Sequence, residues 1–189
     1  MNEISIIDRK NITLPQAREI ARLNRDAWPP ENAASLAEDA ERVLGSFKEP
    51  DGPMEQRHRV FCVAEGDNIL AKASVFPRLI ELPGGRLKIM ALASVCADKA
   101  HRGRGLGAAV VRGAFEQVDR GHFPLALFQT TTPVRPFYEK LGARAISNRF
   151  INSRADDPEA NPWWDPEIML YPADYDWPEG TVDLLGKGY

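Results

Sequence analysis

At 189 residues and 43% hydrophobic content, the chain is long enough for one domain with a core of ordinary size. A formal net charge of -3 excludes a general nucleic-acid footprint, and no run approaches the roughly 18 apolar residues of a membrane span. The charge is uneven: residues 151–189 hold nine acidic and two basic residues, near -7, whereas the rest, with 18 acidic and 22 basic, is near +4. Such a balance suits an anionic cofactor and a cationic substrate. Cys62 and Cys96 lack CxxC spacing, and the N-terminus lacks the charged-then-apolar layout of a secretory leader. Both thiols are expected to be buried and reduced in a soluble cytoplasmic protein.

Ile4, Ile6 and Ile7 predict a short first strand. Thr13-Leu14-Pro15-Gln16 has the form of a capping box with proline in the first turn, opening a helix that carries Leu14, Ala17, Ile20, Ala21, Leu23 and Ala27 inward. Trp28-Pro29-Pro30 stops it. A second helix is expected from about Glu31 to Leu44, with Leu36, Ala40, Val43 and Leu44 at helical spacing and Gly45 at its end. Pro50, Gly52 and Pro53 mark residues 47–56 as a surface loop. Three strands follow, Arg59 to Glu65, Ile69 to Leu82 and Leu87 to Ala97. The Gly66-Asp67 and Pro83-Gly84-Gly85 turns are too short for crossovers, so the strands form an antiparallel meander.

The stretch from Val95 to Val118 organises the chain. A strand end at Val95, Cys96 and Ala97 leads through a polar turn into His101-Arg102-Gly103-Arg104-Gly105-Leu106-Gly107. A helix follows whose Val110, Val111, Ala114, Phe115 and Val118 make one buried stripe. Glycines let backbone N–H groups turn toward a guest, the helix start carries about half a positive charge, and Arg102 and Arg104 add full ones. The expected guest is an anion, most simply a phosphate. Gly103, Gly105 and Ala108 also satisfy the dinucleotide pattern GxGxxG/A, but a meander precedes the loop where that fold expects an early βαβ unit. A plain glycine turn is the remaining alternative.

Beyond a C-cap at Gly121, Phe123 to Gln129 is an apolar strand that a helical crossover makes parallel to its predecessor. A short helix from Val134 to Leu141 ends at Gly142, and Ala143 to Ile151 is a further strand. From Asn152 onward, prolines at 158, 162, 166, 172 and 178 alternate with Trp163, Trp164, Tyr171, Tyr175 and Trp177. Disorder is poor in aromatics, so this reads as a strand at about Glu167 to Tyr171 within an extended acidic arm packed on the domain. The expected organisation is residues 1–151 as the domain and 152–189 as the strand and arm.

Arg102-x-x-Gly105-x-Gly107 after Val95-Cys96-Ala97, with Phe137-Tyr138-Glu139-Lys140-Leu141-Gly142-Ala143 some thirty residues later, resembles the GCN5-related N-acetyltransferases (GNAT). The resemblance covers about Val60 to Ile146. It implies an α/β fold, a mixed and mostly antiparallel central sheet flanked by helices. It also implies acetyl-CoA as co-substrate without a metal, and an N-acetyltransferase acting directly on the primary amine of a small molecule, which the acidic arm favours as cationic. By the same resemblance Arg102, Gly103, Arg104, Gly105, Leu106 and Gly107 hold the pyrophosphate. Val95, Cys96 and Ala97 pair their backbone with the pantetheine arm and help polarise the thioester carbonyl. Tyr138 stands where the family often has its general acid; a thiol of pKa near 8.5 and a phenol near 10 make that proton transfer reasonable. A small-molecule partner is implied, with neither nucleic acid nor membrane, and a homodimer is compatible with it.

Many members carry a glutamate two residues before the position of Val95; here Ala93 stands there, and no carboxylate lies between Leu82 and Ala97. Asp183 or a carboxylate at Tyr189 is the candidate replacement, with simple solvation as the alternative, and Trp163 and Trp164 could line an acceptor pocket or tie the arm down. His58, His101 and His122 are poorly placed as bases or metal ligands, and an apolar strand argues against Cys96 as a nucleophile. Ala71-x-Ala73-x-Val75, Arg78, Gly84 and Leu87 are similar to the hairpin of aminoglycoside 2'-N-acetyltransferases. Loss of the acid also admits a rival from another class, a CoA-binding sensor without turnover.

Overall fold

The computed structural model describes residues 3–30, 34–45, 53 and 57–189. The expected 47–56 loop lies almost entirely outside them. The fold is mixed α/β, with a sheet whose pairings are mostly antiparallel and include parallel ones. Two compact units share it, Met1–Val75 with Ser94–Ala114, and Phe76–Ala93 with Phe115–Tyr189.

In the first unit, β1 (Ser5–Asp8) pairs antiparallel with β2 (Arg59–Glu65), which pairs antiparallel with β3 (Asn68–Leu82), with a register shift at Val63/Ala64. Helix α1 (Leu14–Ala27) opens on the expected capping box: the Thr13 hydroxyl accepts from Gln16 N–H at 3.4 Å and Gln16 Oε1 from Thr13 N–H at 2.9 Å. Its Ile20 and Leu23 pack on Val60, Cys62, Ile69 and Cys96. Helix α2 (Leu36–Gly45) starts later than the spacing predicts. Residues 31–33 lie outside the described set, Ala34 and Ser35 are not helical, and a second capping box, Ser35 with Glu38, sets the start. Small Ala17, Ala21 and Ala40 let α1 and α2 approach closely.

Strand β4 (Gly85–Ala97) is β3's neighbour, and its last residues, Ser94 to Ala97, belong to the first unit with the start of α3 (Leu106–Asp119).

In the second unit, β4 pairs parallel with β5 (Ala126–Thr130) at Met90↔Ala126 and Ala91↔Leu127. β5 also pairs antiparallel with β8 (Glu167–Tyr171), the strand expected there. Helix α4 (Arg135–Glu139) precedes β6 (Arg144–Ile146), which pairs with β8, and β7 (Arg149–Ile151), which pairs parallel with β9 (Thr181–Asp183). The single strand expected from Ala143 to Ile151 is therefore two strands with different partners. Asn148 makes the break: its Nδ2 donates to the carbonyls of Pro178 (3.0 Å) and Gly180 (2.9 Å), and its Oδ1 accepts from Trp177 Nε1 at 2.7 Å. The core of this unit joins Ile80, Ile89, Leu125, Leu127, Ile168 and Leu170 to Trp163, Val182 and Leu184, with Tyr175, Trp177 and Tyr189 packed against it. Residues beyond Asn152 thus supply core side chains as well as surface.

Candidate functional site

Ser94 bends the end of β4. Its φ of +51° lies in the left-handed region, which costs a non-glycine residue about 1 kcal/mol or more. The Ser94 carbonyl accepts from the buried Lys72 Nζ at 2.8 Å. Beyond the bend Val95 and Ala97 are half-buried and Cys96 is buried. Asp98 fastens the following turn. Its N–H donates to the Leu70 carbonyl at 2.8 Å, Oδ1 accepts from Ala100 N–H at 2.8 Å, and Oδ2 meets Arg22 at 3.2 Å. The Ala100 N–H first, then the His101 side chain and the Arg22 guanidinium, hold the Asp98 carboxyl below its ordinary range against the opposing effect of burial.

Past a short 3-10 turn at Lys99–His101, the loop needs glycine for its backbone: Gly103 has φ +79° and Gly105 φ +74°. A Cβ at either position would meet nothing within 4 Å, so the outer side of the loop is open to a guest. Leu106, 2% exposed, plugs into the core at the first residue of α3, and Ala109 N–H closes the first turn on the Gly105 carbonyl at 3.0 Å. By helix geometry the earlier N–H groups of that turn lack intrahelical partners and carry the positive end of the dipole. Arg102 is exposed. Arg104 is also exposed but donates to Glu65 Oε1 at 2.8 Å, and this bond is the first reason the Glu65 carboxyl lies below its ordinary range. The open, positive, glycine-turned loop fits a pyrophosphate, with Arg102 ready and Arg104 engaged.

In the second unit Tyr138 is 6% exposed on α4, its ring 4.7 Å from that of Phe128 and 4.9 Å from that of Phe137. The Tyr138 carbonyl accepts from Leu141 and Ala143, closing the helix. Trp163 is 5% exposed and meets Phe150 and Tyr189 edge-on at 5.7 and 4.9 Å, whereas Trp164 is 68% exposed. The Tyr189 ring also meets Phe76 at 5.3 Å and lies 5.6 Å from the Arg78 guanidinium, and burial pushes its phenol well above the ordinary range. Arg78, in turn, donates from Nε to the Leu184 carbonyl and from Nη2 to the Lys187 carbonyl. Asp183 Oδ1 accepts from Ser153 N–H at 3.1 Å and Leu185 N–H at 2.8 Å. Burial raises the Asp183 carboxyl, but the bonds from Ser153 and Leu185 outweigh it and the net shift is downward. A carboxylate so held is a weaker proton acceptor than an ordinary aspartate.

Val95 to Ala97 and Arg102 to Gly107 therefore lie together in one unit, and Trp163 and Tyr189 touch in the other. Two residues escaped the sequence reading: Lys72 shows only as a charge inside the apolar run Ile69 to Val75, and Gln129 as a polar end to an apolar strand. Arg78, singled out there only for the likeness of its hairpin, instead fastens the C-terminal segment through the Leu184 and Lys187 carbonyls. Cys62 and Cys96 are free and buried, and burial pushes the thiols up, Cys62 to about 11. No helix among the described residues is long and apolar enough to cross a membrane.

Residues 9–146 match the family described as acetyltransferase (GNAT) domain. No curated protein matches. Among solved structures, a GCN5-related N-acetyltransferase from Kribbella flavida is 21% identical over 76% of this chain and 33% of its own, with a TM-score of 0.53. An acyl-CoA N-acyltransferase from Pseudomonas aeruginosa is 13% identical over 89% of this chain and 97% of its own, at 0.57. Glucosamine-6-phosphate N-acetyltransferase from Arabidopsis thaliana is 19% identical over 82% and 99%, at 0.55. These likenesses are of fold. The chain spans about a third of the Kribbella protein and nearly all of the other two. The match over 9–146 covers most of the chain and takes in both the glycine loop and Tyr138, so the chain belongs to the acetyltransferase (GNAT) domain family.

Proposed function

We propose that the protein transfers acetyl from acetyl-CoA directly to a primary amine of a small, cationic molecule. The observation that carries the reading is the loop from Arg102 to Gly107, with its left-handed glycines, open outer side and exposed Arg102 at the start of α3. Acetyl-CoA supplies the activated acyl group. In this reading the loop holds the pyrophosphate, the backbone of Val95 to Ala97 receives the pantetheine arm, and the Tyr138 hydroxyl gives its proton to the departing sulfur. The amine nitrogen adds to the thioester carbonyl to form the C–N bond, the C–S bond then breaks, and the second proton lost by nitrogen restores the Tyr138 hydroxyl. With Ala93 in the usual position of the acid and Asp183 held by two N–H groups, the ammonium proton leaves to solvent. Exposed Asp156, Asp157, Glu159, Asp174, Asp176 and Glu179 support a cationic acceptor.

Ala93 also favours a second reading, a CoA-binding sensor without turnover. Release of free CoA thiol, followed while a panel of mono-, di- and polyamines is added, separates the two. Amine-dependent release that Tyr138→Phe cuts by about 100-fold, a typical general-acid contribution, supports catalysis. Stabilisation by acetyl-CoA with no amine accelerating release supports the sensor.

A further inference from the structure

Lys72 sits in the first half of β3, opposite Cys62 of β2, and is 1% exposed. Its strand neighbours Ala71 and Ala73 are fully buried. A methionine would fill such a place without desolvating an amine, whereas a buried ammonium is tolerated only where it is hydrogen-bonded. Burial depresses the Lys72 amine, the Cys96 sulfur opposes this, and the Arg9 guanidinium adds to it. The bond that compensates is the one from Nζ to the Ser94 carbonyl, 2.8 Å long.

That carbonyl belongs to an unusual residue. Ser94 is exposed, interrupts the apolar run from Ile89 to Ala97 and has φ +51°. The Ser94 carbonyl and the Val95 N–H are the two ends of one planar trans peptide, so they point in opposite directions. With the carbonyl fastened on a buried amine, the Val95 N–H points away from Lys72. A donor placed on a peptide oxygen also polarises the whole amide and strengthens its N–H, the more so in a low-dielectric interior.

We propose that Lys72 is a positioning residue for acyl transfer, holding the left-handed bend at Ser94 and polarising the Ser94–Val95 peptide so that the Val95 N–H stabilises charge developing on the thioester oxygen. The inference rests on the acetyl-transfer function proposed above. Lys72 exchanges no proton in the step. The carbonyl oxygen gains electron density as the amine adds and returns it as the C–S bond breaks, the sulfur taking its proton from Tyr138.

The test uses the full chain carrying Lys72→Met, which keeps length and removes the donor, and Lys72→Gln, which keeps a shorter neutral donor, as the second variant should the first fail to fold. Three quantities are read: the Kd for CoA, kcat with the best amine of the panel, and the infrared carbonyl band of [1-13C]acetyl-CoA bound without amine. Losing one oxyanion donor outright costs about 100- to 1,000-fold in kcat, so weakening one should cost about 10- to 100-fold. The expected result is that loss, a CoA Kd within about 3-fold of wild type, and a bound carbonyl band returned toward that of free acetyl-CoA. A folded variant with wild-type kcat, or one whose kcat falls while the band stays at the wild-type position, would overturn the inference. Wild-type protein that neither binds acetyl-CoA nor acylates any amine would overturn the function itself, and this inference with it.

Discussion

The Gln129 side chain ties three main-chain groups of the second unit together: Nε2 donates to the main-chain oxygen of Tyr189 at 2.9 Å, while Oε1 accepts from the N–H groups of Trp164 and Asp165 at 3.0 and 2.9 Å. One amide at the end of β5 thus holds two stretches that are 35 and 60 residues away. Gln129→Ala should destabilise the protein by about 2 kcal/mol, because it leaves the main-chain groups of half-buried Asp165 and Tyr189 without that partner. Hydrogen exchange should speed up at Trp164, Asp165 and Gly188, whose N–H donates to the Pro162 carbonyl, before it does at α3. A variant as stable as wild type in urea would show that the tie carries no weight.

Arg104 has to leave Glu65 before it can meet a phosphate. Both side chains are half exposed, at 46% and 58%, so the pair is easily screened. Glu65→Gln should therefore tighten CoA binding several-fold at low salt and by less at 0.5 M salt. Unchanged affinity at both would mean that Arg104 does not reach the ligand.

His58 gives the fold a pH dependence whose sign follows from its surroundings. Burial first, then the charges of Arg9 and Lys72, lowers its pKa from 6.5 to about 4, so the folded state keeps the ring neutral. The unfolded chain takes up the proton near pH 6.5. The contribution of His58 is fully present above that pH and is lost as pH falls toward about 4, amounting to roughly 3 kcal/mol at most. Between about pH 7 and 5, before most carboxylates titrate, the urea midpoint of wild type should fall faster than that of His58→Gln. Parallel slopes would remove His58 as the cause.

Two glycines near Tyr189 should differ in their tolerance of alanine. A Cβ at Gly188 would run into the Pro162 carbonyl oxygen, which is backbone and cannot step aside, whereas one at Gly186 would meet Arg78 Nη2, a side-chain tip that can move at the cost of its bond to the Lys187 carbonyl. Gly188→Ala should cost about 1–3 kcal/mol, the range of overpacking, and Gly186→Ala clearly less. Equal costs in chemical unfolding would contradict this account of the segment.

The parts of this fold that local chemistry specifies were legible in the sequence. The capping box at Thr13 and Gln16, the two tight turns of the meander, the parallel return of β5 and the glycine loop all depend on a few adjacent residues. What depends on distant partners was not. The split of β6 from β7 needs Asn148 to find Pro178, Gly180 and Trp177, and β9 is a strand of three residues that exists through its pairing with β7 and with β3. The site divides along the same line. Arg102 and the glycines announce themselves by spacing, but the engagement of Arg104 by Glu65, of Asp183 by Ser153 and of Ser94 by Lys72 are contacts between residues far apart in the chain. A lysine within an apolar strand was the one visible hint of the last.

The central claim, that the Arg102 to Gly107 loop holds the pyrophosphate of acetyl-CoA, is tested most directly by thermal stabilisation of wild type and Arg102→Glu with acetyl-CoA, CoA and NAD. The account predicts a rise in melting temperature of several degrees with both CoA ligands, no rise with NAD, and loss of the CoA effect in Arg102→Glu while its ligand-free melting temperature stays put. No shift with either CoA ligand, or an equal shift in Arg102→Glu, would contradict it.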